Sequence, residues 1–106
     1  MSSGIPQRLP RTFNVTVSSN TGTLELKFGG TVIGYSIKAP SDAATYDVYF
    51  EDGDGYILSR RDAVVGHGVV QEEFQLWHDT KNDTGPNVFF ANATDGAYSV
   101  RVWFKA

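Results

Sequence analysis

The feature that most constrains this chain is a side-chain period of two residues, repeated along much of its length. In the C-terminal segment AYSVRVWFK, residues 97–105, apolar and polar side chains alternate. Successive side chains of a β-strand point to opposite faces, so this alternation predicts a strand with one buried side and one solvent-facing side. No window shows the apolar spacing of an amphipathic helix. The chain is therefore predicted to be all-β.

Other short runs of β character are separated by Gly, Pro, Asn and Asp, which favour turns. They lie at residues 13–17, 24–28, 33–37, 46–50, 56–58, 69–70, 74–76 and 88–90. The first two runs flank the turn sequence SSNTG and predict a hairpin. In the third run, Ile33, Tyr35 and Ile37 predict a strand that stops at Pro40. About eight short antiparallel strands at this spacing predict a single β-sandwich, jelly-roll or immunoglobulin-like.

The N-terminal segment has no periodic apolar pattern of either kind. Its apolar, proline and arginine residues are Ile5, Pro6, Arg8, Leu9, Pro10 and Arg11. A terminal segment of this kind is ordered only when it is tied down by other contacts. We therefore predict an extended, partner-binding arm at residues 1–11 and a β-sandwich domain at residues 12–106. The segment also lacks the apolar stretch of a signal peptide or a membrane span.

Composition and charge remove several function classes. The chain has 106 residues, a formal net charge of -3 and no cysteine. An acidic chain without a basic stripe is not expected to bind nucleic acid. Without cysteine there are no disulfides, thiolate nucleophiles or cysteine-ligated zinc sites.

The turn EDGDG contains three carboxylates, Glu51, Asp52 and Asp54. Hydrolytic carboxylate pairs need an environment that separates their pKa values, and a solvated turn does not supply one. As a calcium loop the segment is short of ligands, because Tyr56 occupies the fifth position and the glycine comes early. A hairpin that brought Asp62 close would add one ligand. We predict a turn here, with neither catalysis nor bound metal.

The two histidines, His67 and His78, also fall short of a metal centre. Zinc and non-haem iron sites need three protein ligands with supporting hydrogen bonds. His78 followed by Asp79 is typical of a polar pair at a strand end. Ser59 has neither the GxSxG elbow nor the spacing of a triad. No catalytic residue, metal or cofactor is therefore predicted.

Two aromatic residues fall on the phase opposite to the predicted core, Tyr49 and Trp103. Trp103 lies between Arg101 and Lys105 on the solvent-facing side of the last strand. Exposed aromatic side chains anchor protein interfaces, stack on sugar rings, or form cross-strand pairs within one monomer. We predict that Tyr49, Arg101, Trp103 and Lys105 belong to an interaction surface.

Three segments of the chain carry a resemblance to a known class: GGTVIGYSIKAP, TYDVYFEDGDGY and TDGAYSVRVWFKA. With an acidic, cysteine-free composition and a Pro/Arg arm, the chain resembles the small virion proteins of tailed bacteriophages, above all capsid decoration (cement) proteins. The resemblance implies a non-enzymatic structural protein, made in the host cytoplasm and bound to the major capsid protein at the capsid surface. It also implies self-association, often as a trimer, with the arm reaching between neighbouring subunits. Neither nucleic acid nor membrane is an expected partner.

Two alternatives stay open at this point. Accessory proteins of tails and fibres use the same type of sandwich, so the position on the virion is open. A carbohydrate-binding module is the other alternative, with a glycan as its partner. It requires Tyr35, Tyr49, Trp77 and Trp103 to converge on one face or in one groove.

Overall fold

The computed structural model describes residues 10–105, which form nine β-strands and no helix. The strands are β1 (Arg11–Val17), β2 (Gly22–Glu25), β3 (Gly30–Lys38), β4 (Thr45–Glu51), β5 (Ile57–Val65), β6 (Gly68–Val70), β7 (Phe74–Leu76), β8 (Asn87–Ala91) and β9 (Gly96–Phe104). The predicted all-β class is confirmed. Accordingly, nothing between residues 10 and 105 is a helix that would cross a membrane.

The strands form two antiparallel sheets, as predicted for a β-sandwich. Sheet I has the order β1-β9-β3, and both β6 and β7 pair with the far side of β3. Sheet II has the order β2-β8-β4-β5. Strands pair in a nested series: β1 with β9, β2 with β8, β3 with β6 and β7, and β4 with β5. The chain therefore passes from one sheet to the other at most of its connections.

The inward faces of the two sheets supply one core. Its largest fully buried side chains are Tyr35, Tyr46, Tyr98, Phe50, Phe90 and Leu76. Aromatic rings link the sheets: Tyr35 of β3 meets Phe50 of β4 at a centroid distance of 4.9 Å, and Tyr98 of β9 meets Phe90 of β8 at 4.6 Å. Each large apolar side chain buried in this way contributes roughly 1.5–3 kcal/mol to folding.

Strand β9 shows the alternation predicted for it. Tyr98, Val100 and Val102 are almost completely buried, whereas Arg101 and Trp103 face outward. Because β9 is the central strand between β1 and β3, its outward residues lie in the middle of the outer face of sheet I.

The predicted hairpin between the first two strands is wrong. Only a single bridge, between Ser18 and Thr21, joins them, and β1 and β2 belong to different sheets. Ser19 and Asn20 both have positive φ, so the chain turns tightly and crosses the sandwich. Each of the two strands pairs over a longer stretch with another strand: β1 pairs with β9 over seven residues, and β2 pairs with β8 over four.

The alternation of buried and exposed residues in β3 is interrupted. Tyr35 and Ile37 are buried, but Ile33 is 46% exposed and Val32 is buried in its place. The register with β9 shifts between Val32 and Gly34. A β-bulge of this kind inserts one extra residue and reverses the alternation on one side of it.

The predicted arm is one residue too long at its C-terminal end. Arg11 pairs with Val102 and is the first residue of β1, because β9 continues far enough to offer it a backbone partner. Pro10, directly before it, is partly buried. The other arm residues that we singled out, Ile5, Pro6, Arg8 and Leu9, lie outside the described residues.

Candidate functional site

The candidate site is the outer face of sheet I around Trp103. Because β1, β9 and β3 are in register, outward residues of the three strands stand side by side in rows. The rows are Thr12, Arg101 and Ser36; Asn14, Ser99 and Lys38; and Trp103 with Gly34. Directly opposed side chains in such rows are about 4.5–5.5 Å apart at their β-carbons, so neighbours in a row are in contact range.

The sizes of these side chains create two depressions. Short side chains at Thr12, Ser36 and Ser99 form the floor of a groove of about 380 Å³, which we call the polar groove. Long side chains at Lys38, Arg101 and Trp103, together with His67, line the same groove.

A smaller depression of about 190 Å³ lies beside the groove, and we call it the apolar hollow. It is lined by Ile33, Gly34, Val69 and Val70, and it shares Ser36 and Trp103 with the polar groove. Gly34 is required here, because a β-carbon at this position would lie 2.8 Å from the carbonyl oxygen of Val70. Trp103 thus stands between a polar and an apolar depression.

Trp103 itself is only partly covered. It remains 41% exposed, and its partner across the strand pair is a glycine. The bulge that turns Ile33 outward also gives the hollow its apolar wall. An indole held in this position offers apolar surface to a partner without itself belonging to the core.

The groove has an unbalanced positive charge. Within residues 10–105, Lys38 and Arg101 form no ion pair with a carboxylate, whereas Lys27, Arg60, Arg61 and Lys105 each do. The Arg101 Nε donates to the Thr12 hydroxyl at 3.2 Å, which holds the guanidinium over the floor of the groove. Two uncompensated cations in one groove are notable in a chain whose formal net charge is -3.

His67 forms a wall of the groove and is held from both sides. The backbone N–H of Ala39 donates to its Nδ1 at 3.1 Å, so the ring carries its proton on Nε2. The Nε2 atom lies 3.1 Å from a carboxylate oxygen of Asp42. His67 therefore has a structural position between the 66–68 turn and the end of β3.

The predicted interface residues do not all lie on one face. Tyr49 is on β4 in sheet II, on the opposite outer face from Trp103, and its ring stacks on Phe89 at 4.9 Å with an interplanar angle of 12°. The guanidinium of Arg60 lies 5.2 Å from the centre of the Tyr49 ring. Tyr49 therefore forms a cross-strand pair within the monomer, and its role at an interface stays a prediction.

Arg101 and Trp103 share the candidate site, but Lys105 is at its margin. Lys105 follows β9, and its ammonium lies 3.8 Å from Glu73. Its backbone N–H donates to the carbonyl of Thr31 at 2.9 Å.

The aromatic residues required for a multi-ring sugar platform do not converge. Tyr35 is 1% exposed and belongs to the core, and Tyr49 faces outward from the other sheet. Trp77 is 68% exposed but follows β7 at the edge of sheet I. Of these four aromatic residues, Trp103 is the one that lines the polar groove.

The acidic turn is organised by its own backbone. One carboxylate oxygen of Asp52 accepts hydrogen bonds from the backbone N–H groups of Asp54 and Tyr56, each at 2.9 Å. Asp62 pairs with Arg60 at 2.8 Å instead of approaching the turn. Across residues 10–105, no three His, Asp or Glu side chains form a cluster suited to a metal ion.

His78 and Asp79 follow β7, and each forms its hydrogen bonds with residues other than the other one. His78 contacts Asp83 at 3.0 Å, and this hydrogen bond lowers the pKa of the Asp83 carboxyl. Asp79 instead accepts hydrogen bonds from Lys81 and Asn82, and the bonds from Asn82 lower its pKa. Ser59 is buried and donates to Glu72 at 2.6 Å, so it is not placed as a nucleophile.

Sequence reasoning missed most of the groove, namely Thr12, Ser36, Lys38 and Ser99 with His67. The alternation in the sequence indicates that most of these side chains face outward. It does not indicate which strands lie beside the strand that carries Trp103. The strand pairing alone brings short side chains next to the two cations.

The chain was compared with protein-family models and with curated proteins. No protein-family model matches the chain, and no curated protein matches it.

Proposed function

We propose that this protein is a non-enzymatic structural component of a tailed-phage virion, a capsid decoration protein that binds the assembled shell through the outer face of sheet I. The observation that carries the proposal is Trp103, a large apolar ring exposed on that face near the end of β9, in the walls of both depressions. Tryptophan and arginine are the residues most enriched at interface hot spots, and here Arg101 lies next to Trp103 on the same strand face.

We further propose that the sandwich is of the jelly-roll type. The nested pairing, β1 with β9 inward to β4 with β5, is what results when one long antiparallel pair is rolled over two sheets. Jelly rolls occur in viral capsid proteins and in lectins, so the fold is compatible with the proposed function and with its main alternative.

The arm and self-association belong to the same proposal. Residues 1–10 contain Arg8 and two prolines, and proline reduces the entropy that an extended segment loses when it docks. The arm precedes β1, which is an edge strand of the same sheet as Trp103. An arm that starts there reaches a neighbouring subunit while sheet I contacts the shell.

A single-site glycan-binding protein is the second candidate. The hydroxyl groups of Thr12, Ser36 and Ser99 beside one indole favour it, because sugars present hydroxyls at their edges and apolar faces to aromatic rings. Saturation by a glycan, with no binding to capsids, would favour this candidate.

The test uses heads of the phage whose genome encodes the chain, prepared without this protein. Co-sedimentation of the wild type with these heads is expected. Trp103→Ser should weaken binding by about 2 kcal/mol or more, roughly 30-fold in Kd, as expected for an aromatic hot spot.

Stability measurements separate an interface role from a folding role. A fully covered tryptophan buries about 150–250 Å², so partial cover of Trp103 removes about 100–150 Å² from water and contributes at most about 4 kcal/mol. We expect Trp103→Ser to lower the free energy of unfolding by about 2 kcal/mol. The control is Phe104→Ser, which removes a core ring and should cost more than about 3–5 kcal/mol. Equal losses of stability in the two variants would refute the interface assignment.

A further inference from the structure

The polar groove and the apolar hollow together define what kind of shell segment fits this face. Resting on the function proposed above, we propose that the docking partner presents an acidic, extended segment: a carboxylate that enters the polar groove, and an apolar side chain two residues away that enters the hollow.

The charge of the groove selects a carboxylate. Lys38 and Arg101 line it, and neither is neutralised by an acid within residues 10–105. Asp42, on the far side of His67, is engaged with that histidine and is almost fully exposed. A partner carboxylate would therefore meet two cations without having to displace an existing ion pair, whose loss would reduce the gain from binding.

The geometry of Arg101 favours the same ligand. Its Nε is used by the Thr12 hydroxyl, and its two terminal nitrogens make no hydrogen bond to another described residue. A guanidinium edge of this kind forms two parallel hydrogen bonds with a carboxylate. The short floor residues Ser36 and Ser99 leave space for the carboxylate and add hydroxyl donors.

The spacing of the two depressions favours an extended chain. They share Trp103 and Ser36 in their walls, so they are adjacent on the outer face. In an extended segment, residues two apart point to the same side and are roughly 7 Å apart. A segment of the form acidic-x-apolar therefore places its carboxylate beside Arg101 and its apolar side chain against Ile33 and Val69, with its backbone across the indole.

The first arm of the test reverses charge on the intact protein. Arg101→Glu and Lys38→Glu should each weaken co-sedimentation with the heads by at least about tenfold, because an attraction becomes a repulsion of like charges. Lys81→Glu is the matched control, since Lys81 is exposed and has no ion pair among the described residues but lies in the loop between β7 and β8. It should bind as the wild type does. Wild-type binding should weaken with added NaCl, and binding by the Arg101→Glu variant should not.

The second arm observes the groove directly by NMR. The chain has two tryptophans, so the indole N–H signal of Trp103 reports on the site and that of Trp77 is an internal control. Titration with the capped tripeptide Asp-Ala-Leu should shift the Trp103 signal and leave the Trp77 signal in place. The matched peptide Asn-Ala-Leu should shift neither at the same concentration, because it lacks the charge.

The outcomes distinguish this inference from the function on which it rests. Heads that bind the wild type and both charge-reversed variants equally would overturn the acidic segment but leave capsid docking intact. Heads that do not bind the wild type would overturn the proposed function, and the tripeptide titration would then test the groove by itself. A Trp103 shift produced by glucuronate at lower concentration than by the tripeptide would overturn the inference in favour of an acidic glycan.

Discussion

Three tyrosines of the core differ in the hydrogen bonds that their hydroxyl groups make, and this difference predicts different effects of mutation on stability. The Tyr46 hydroxyl donates to the carbonyl of Gly66 at 2.8 Å, and the Tyr98 hydroxyl donates to the carbonyl of Thr94 at 2.7 Å. The hydroxyl of Tyr35 is also buried, and although it lies close enough to the Ser59 side chain to interact with it, it makes no hydrogen bond of acceptable geometry with a described residue. Replacing each tyrosine by phenylalanine removes the same atom from three different environments.

The expected magnitudes follow from these partners. Tyr46→Phe loses a hydrogen bond and leaves the buried carbonyl of Gly66 without its donor, so it should lower the free energy of unfolding by about 1–3 kcal/mol. Tyr35→Phe loses no such bond and removes a desolvated hydroxyl, whose burial without a partner costs about 1–3 kcal/mol. We expect Tyr35→Phe to leave stability unchanged or to raise it by about 1 kcal/mol.

The assay is urea unfolding of the wild type and the two variants, followed by tryptophan fluorescence and by far-UV circular dichroism. A difference of about 2 kcal/mol between the variants corresponds to a shift of about 1 M or more in the midpoint at the slopes usual for small domains. Tyr98→Phe should resemble Tyr46→Phe. If Tyr35→Phe is as destabilising as Tyr46→Phe, the Tyr35 hydroxyl has a hydrogen-bond partner in solution. The prediction for Tyr35 is then wrong.

Three further predictions concern the arm, metal and alkaline pH. Deleting residues 1–9 should leave thermal stability nearly unchanged and greatly weaken binding to heads; unchanged binding would exclude a docking arm. EDTA should not lower the melting temperature, because Asp52 binds backbone N–H groups of its own turn; a bound ion at a hundredfold excess over its Kd would add roughly 2.7 kcal/mol. Burial raises the pKa of Tyr46 from 10.0 to about 12, so its contribution to stability is complete below pH 10 and is lost as the pH rises through 12. Stability of Tyr46→Phe, measured by urea unfolding from pH 9 to 12, should therefore fall less steeply than that of the wild type.

The period of two in the sequence determined the class of fold and the outward position of Trp103. In β9 the alternation is uninterrupted, and side-chain direction in a strand depends only on local backbone geometry. The absence of helical spacing and the frequent turn residues are local in the same sense. These local features do not depend on which strand becomes the neighbour of which.

The tertiary structure decided which strands are neighbours, and with them the site. Trp103 faces a groove because β1 and β3 flank β9 in one register, which places Thr12 and Ser36 beside Arg101. Tyr49 has the same outward phase but lies on the other sheet. These pairings join residues far apart in sequence, and their register depends on competition among all the strands for partners.

The bulge in β3 shows the same limit at a single residue. By its local pattern Ile33 belongs with Tyr35 and Ile37, and only the ladder with β9 shows that Val32 takes the buried position. The sequence of β3 by itself does not show the bulge, because a bulge forms in the pairing between two strands. The local alternation therefore decided that sheet I has a buried and an exposed face, and the long-range pairing decided which side chains meet on them.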